Sequence, residues 1–200
     1  MTQDARPHQP RLFIAVPVAD EAAASIAALV ERVRSEGVPG GGHDVRWVRL
    51  DGLHVTLRFL GPTPEDRVEA AADATRAAAA EHEPFDVTIS QAGAFPSRTR
   101  PRALWLDIPV GAPELSAIAA TVNATLQRHG WEPDDRPLRA HLTLARSDGI
   151  RAGAAIATRL IDAAADLEVR FRADRMVLFE SRTGGGPARY EPLEVVRLGT

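Results

Sequence analysis

The sequence contains no cysteine, no lysine and one tyrosine, and no apolar run reaches the length needed to cross a membrane. Without thiols there can be neither a disulfide nor a thiolate metal site, which is compatible with a reducing compartment. Without lysine, all 24 basic residues are arginine, and 27 acidic residues outweigh them to give a formal net charge of −3. Such a chain exerts no overall pull on nucleic acid. An anionic substrate must be held by a local group of arginines, which suits a small phosphate end better than a long duplex. The first ten residues have neither the basic start nor the apolar core of a signal peptide. They are expected to be a disordered lead-in, with 11–200 forming one domain in the cytoplasm.

Hydrophobic residues make up 44% of the chain and charged residues 26%, the balance of an ordinary soluble globular protein. Two hundred residues suffice for one substantial core, or for two small lobes that share one.

Strand and helix signals alternate along the chain. Arg11 to Val18 (RLFIAVPV) is a strand, and Asp20 caps an alanine-rich helix ending at Gly37. After Gly40-Gly41-Gly42, Val45 to Arg49 and Leu53 to Leu60 are expected to form a hairpin turning at Asp51-Gly52. Thr63-Pro64-Glu65-Asp66 supplies an N-cap and an acidic first turn for a helix to about His82. Strands follow at Phe85 to Ala94 and Ala103 to Val110, then a helix from Pro113 closed by Gly130, and a strand at Leu138 to Ala145. A helix over Ala154 to Ala165, a strand from Leu167 to Glu180 and a last strand from Tyr190 to Leu198 complete the chain. The two halves share a grammar, and His-Val-Thr-Leu at 54–57 returns as His-Leu-Thr-Leu at 141–144, so an internal duplication is expected.

Strand alternation puts His54, Thr56 and Arg58 on one face and Val55, Leu57 and Phe59 on the other. Likewise His141 and Thr143 share a face, with Leu142 and Leu144 opposite. Two such strands facing each other make a cleft with two imidazoles and two hydroxyls. Opening a cyclic phosphodiester needs a base to take a proton from water and an acid to protonate the departing ribose oxygen. Histidine serves either role near neutral pH. Threonine hydroxyls can donate to the non-bridging oxygens, where negative charge builds. The residues alone leave open which histidine is the acid.

The double H-x-T pattern resembles the signature of the two-histidine phosphoesterases, and the wider sequence resembles their RNA 2′,3′-cyclic phosphodiesterase branch, the 2′-5′ RNA ligase family. The match includes RLFIAVPV, Arg46-Trp47-Val48, LHVTLRFLG, Phe95-Pro96, Pro101 to Leu106, HLTLAR and Leu178 to Ser181. The resemblance implies an α+β, bilobal fold in which two pseudo-symmetric antiparallel sheets face a central groove, with helices on the outside. It implies hydrolysis of RNA 2′,3′-cyclic phosphate ends to a 2′-phosphomonoester, without metal or cofactor, by a protein expected to be a monomer. His54 would be the proton donor and His141 the proton acceptor. Thr56, Thr143, Arg146 and Arg58 would bind the phosphate, although strict alternation leaves Arg146 one step off the His141 face.

Arg98, Arg100 and Arg102 form a proline-flanked basic loop that is either a contact for RNA or a solvated loop. Tyr190 is a candidate for stacking on a base, whereas Trp47 and Phe95 are better read as core. His8, His43, His82 and His129 have no paired setting and suit surface or capping roles. Gly184-Gly185-Gly186 follows a strand and precedes no Gly-Lys-Ser/Thr, so a hairpin loop is expected rather than a P-loop. No metal-binding spacing accompanies the two histidines. The same two-histidine site also fits a phosphodiesterase acting on 2′-5′ oligonucleotides or a small cyclic nucleotide, and a non-catalytic RNA-end binding module is the reading from another class.

Overall fold

The computed structural model describes residues 9–37, 45–147, 153–184 and 186–200. In chain order the elements are β1 (Arg11–Pro17), α1 (Asp20–Ser35), β2 (Val45–Trp47), β3 (His54–Pro62), α2 (Val68–Ala80), β4 (Phe85–Phe95), β5 (Ala103–Val110), α3 (Ala112–Arg128), β6 (His141–Ser147), α4 (Gly153–Ala163), β7 (Glu168–Ala173), β8 (Arg175–Gly184) and β9 (Gly186–Arg197). Two antiparallel sheets result, ordered β3-β1-β8-β9 and β2-β6-β5-β4-β7. The first takes strands from both ends of the chain, and the second takes those between them plus β2.

Each helix buries one stripe. In α1, Ala22, Ile26, Leu29, Val30 and Val33 recur at helical spacing and are buried. The helices α1 and α4 pack on the second sheet, while α2 and α3 pack chiefly on the first. Leu12, Ile14, Leu142 and Leu144 are fully buried beneath them and belong to one continuous apolar core. Burial of this kind stabilises by roughly 25 cal/mol per Å² of apolar surface removed from water.

Three local expectations need correction. Residues 45–60 do not form a hairpin, because β2 and β3 belong to different sheets. The Val48 N–H donates to the Leu144 carbonyl of the second sheet, whereas the Leu53 carbonyl accepts from Val18 beside the first. A short 3₁₀ turn, Leu50–Gly52, carries the chain across. The strand expected over Leu167 to Glu180 is likewise two strands, β7 in the second sheet and β8 in the first, with Asp174 between them. Neither helix cap expected from sequence forms: Asp20 is the first residue of α1, and the Thr63 hydroxyl donates to the Gly61 carbonyl.

The glycine run does lie at a hairpin, since Gly184 pairs with Gly186 across β8 and β9, although Gly185 itself is outside the described residues. The lead-in expected over 1–10 lies outside them as far as His8, as does His43. Pro10 is buried, and its carbonyl accepts from the Thr63 N–H.

Candidate active site

Between the two sheets lies a cleft of about 960 Å³, into which both H-x-T strands turn. Its walls include His54 and Thr56 from β3 and His141, Thr143 and Arg146 from β6. The two histidines are held alike. The Nδ1 of His54 lies 2.7 Å from the carbonyl of Gly52, which ends the 3₁₀ turn, and the Nδ1 of His141 lies 2.7 Å from the carbonyl of Arg139. A carbonyl oxygen only accepts, so each Nδ1 must carry the hydrogen, and the lone pair of each neutral ring sits on Nε2. Each ring is thereby fixed in the tautomer that can take a proton at Nε2 or, when charged, give one up there.

The surroundings of the two rings differ. His54 lies among aromatic side chains, 4.7 Å from the Phe13 ring, 5.8 Å from Phe179 and 4.9 Å edge-on to Tyr190. That desolvation pushes its pKa below the usual imidazole value, and the bond to Gly52 opposes it only in part. His141 meets the ring of Phe95 edge-on at 5.5 Å. Burial raises the pKa of Tyr190, and the positive charge of Arg146 works against that rise, so a residue from β6 acts electrostatically on one from β9.

Strand irregularities decide which neighbours share the catalytic face. In β6, Ala145 pairs with Leu104 but Thr143 with Trp105, so Leu144 is an extra residue and the register shifts there. Leu144 and Ala145 are both buried, and Arg146 emerges on the cleft side with His141 and Thr143. In β3, Thr56 pairs with Ala15 but Arg58 with Ile14, so Leu57 is an extra residue, as is Leu60 between Phe59 and Gly61. The shifts at Leu57 and Leu144 each fall three residues after the histidine. Phe59 consequently stands opposite Phe13, on the side of His54, and is 64% exposed. Arg58, placed on the catalytic face by strict alternation, is drawn to the cleft wall. It pairs with Asp134 at 2.8 Å and donates to the Glu132 carbonyl at 2.7 Å.

Arg98, Arg100 and Arg102 are exposed at the tip joining β4 and β5 and do not line the cleft. Tyr190 does line it. Trp47 is half-buried against the core, but Phe95 lies in the cleft wall, stacked on Trp105 with ring centroids 4.9 Å apart. His82 pairs with the Thr121 hydroxyl, and His129 caps the end of α3 and accepts from Arg67 through its carbonyl. Sequence reading passes over Phe13 and Arg139 and sends Phe59 to the apolar face, yet all three line the cleft. Phe59 and Arg139 lie next to an H-x-T motif in the chain, whereas Phe13 is brought there only by the pairing of β1 with β3. Among the described residues, no three His, Asp or Glu side chains gather as a metal ion would require.

The family model of the 2'-5' RNA ligase superfamily matches residues 18–185. The chain belongs to that superfamily. A superfamily relative from Aeropyrum pernix, named RNA 2',3'-cyclic phosphodiesterase, is 33% identical over 144 residues, spanning 72% of this chain and 77% of its own. A relative of the same name from Methanothermobacter thermautotrophicus is 28% identical over 191 residues, 94% of this chain and 98% of its own. The same fold is seen in a crystal structure of a Thermus thermophilus protein, with a TM-score of 0.74, 23% identity, and coverage of 94% of this chain and 98% of that one.

Proposed function

We propose that this chain hydrolyses the 2′,3′-cyclic phosphate ends of RNA to 2′-phosphomonoesters, using His54 and His141 as an acid–base pair. The observation that carries the reading is the matched tethering of the two rings, each with Nδ1 donating to a carbonyl two residues earlier, in walls of one cleft. Two like-tautomer imidazoles beside two threonines and an arginine suit in-line attack on a phosphodiester.

In the proposed step, Nε2 of neutral His141 takes a proton from water as the water oxygen bonds to phosphorus. The P–O3′ bond breaks, and protonated His54 delivers its proton to O3′, leaving a 3′-hydroxyl and a 2′-phosphate. Thr56, Thr143 and Arg146 offer donors to the non-bridging oxygens. Burial disfavours the charged form of His54, so the acid role relies on the anionic substrate to draw a proton onto the ring before it is passed to O3′. The exposed ring of Phe59 and the ring of Tyr190 in the cleft wall offer aromatic surface for the terminal base. The test is end-group analysis of a short oligonucleotide bearing a 2′,3′-cyclic phosphate after incubation with the protein. A 2′-phosphate and free 3′-hydroxyl are expected, and an unchanged cyclic end would refute the reading.

A further inference from the structure

The cleft wall holds a second cation that the acid–base step does not use. Arg139 stands two residues before His141, on the approach to β6, and both side chains line the cleft. Its guanidinium carbon lies 4.6 Å from the Phe95 ring centre and 4.8 Å from that of Trp105. The platform beneath it is rigid: Trp105 is buried against Gly93, where an added Cβ would overlap the indole.

Of the other arginines in this wall, Arg58 and Arg136 are both committed to Asp134. Among the described residues, Arg139 has no carboxylate partner. Stacking occupies one face of a guanidinium and leaves its N–H edge, the part that matches a phosphate in bidentate fashion. Arg146 lies five positions beyond His141 and Arg139 two before it, so the two cations flank the imidazole along the chain. Arg139 and His141 meet the same ring, at 4.6 Å and 5.5 Å from the centre of Phe95, so the guanidinium and the imidazole are neighbours on one wall.

We infer that Arg139 binds the phosphodiester on the 5′ side of the terminal nucleotide, so that the site selects oligonucleotide ends over free cyclic mononucleotides. The inference rests on the cyclic phosphodiesterase reading above and names the substrate class of that same site.

The experiment compares kcat/KM for uridine 2′,3′-cyclic phosphate and for a dinucleotide ending in it, with the native protein and with Arg139→Met. The native protein is expected to favour the dinucleotide, and R139M to reduce that ratio about tenfold, the size of one charge-assisted contact. Arg139→Lys, which keeps the charge, should restore part of it. A neutral methylphosphonate in place of the internal linkage should cost the native protein a similar factor and R139M nothing further. A ratio unchanged by R139M overturns the inference. So does a native protein indifferent to the neutral linkage, since Arg139 would then be reading the base. Failure of the native protein to open either substrate would instead refute the phosphodiesterase reading.

Discussion

Phe59 faces Phe13 across the β1–β3 ladder, ring centroids 6.0 Å apart, on the side that carries His54. The two phenylalanines nevertheless differ in exposure, 64% against 2%. Phe13→Ala removes a buried ring and should cost about 3–5 kcal/mol of stability. Phe59→Ala should leave the melting temperature nearly unchanged and weaken substrate binding by roughly 1–3 kcal/mol, the worth of stacking one base. Thermal melts and KM values on the same two variants would check the contrast. An unchanged KM for F59A would remove Phe59 from the substrate site.

His54→Ala and His141→Ala should each lower turnover of a cyclic phosphate end by about 10² to 10⁴-fold. Their combination should fall well short of the product of the two losses, because the residues act as a unit. Full turnover in either single variant would end the acid–base assignment. Binding of the phosphate end, measured separately, should outlast both changes.

Arg146 and Arg58 should separate by the kind of damage done. Arg146→Ala should reduce kcat/KM by about 10² to 10³-fold, as expected for loss of a donor to the developing charge. Arg58→Met leaves Asp134 with only the exposed Arg136 beside it and should register first as lower stability in a denaturant titration. Equal kinetic losses with unaltered stability would return Arg58 to the phosphate.

Burial lowers the pKa of His54 in the folded chain, so protons bind the unfolded chain more tightly at this group. The contribution to stability is therefore complete above about pH 6.5 and declines as the pH falls through that value toward the lower folded pKa. Urea midpoints measured from pH 7 to 5 should fall more for the native protein than for His54→Gln. Parallel curves would show that His54 is not desolvated. Turnover itself should be bell-shaped in pH, from one neutral and one charged imidazole.

Since the proposed step relies on imidazoles and hydrogen-bond donors of the chain itself, EDTA should leave activity unchanged. Loss on chelation with recovery on adding a divalent ion would contradict it. The assay is the same end-group analysis with and without chelator.

Much of this arrangement is legible in the chain itself. His54-Val55-Thr56-Leu57 and its repeat at 141–144 identify both strands and both imidazoles, because a two-residue period is fixed by backbone geometry. Alternation fails where a strand carries an extra residue, and nothing in Leu57 or Leu144 announces one. For that reason a strict period sends Phe59 to the apolar side and leaves Arg146 a step off the cleft that both in fact line. The apparent turn at Asp51-Gly52 has the composition of a hairpin but spans two sheets, a matter decided by distant partners such as Leu144 and Val18. The stacking of Arg139 on Phe95 and Trp105 joins positions from β4, β5 and the approach to β6, which no local pattern reports.

The first sheet seats β1 between β3 and β8, so a strand near one terminus waits for one near the other. During synthesis, a nascent chain that has not yet emerged beyond Asp174 has only the β1–β3 ribbon at this place, and two strands alone are marginal in water. Phe179 and Tyr190, which shelter the ring of His54, come from the missing part. Translation would thus have to run past Tyr190 before the first imidazole acquires its dry setting, and in a fragment stalled before Asp174 the pKa of His54 should be less depressed.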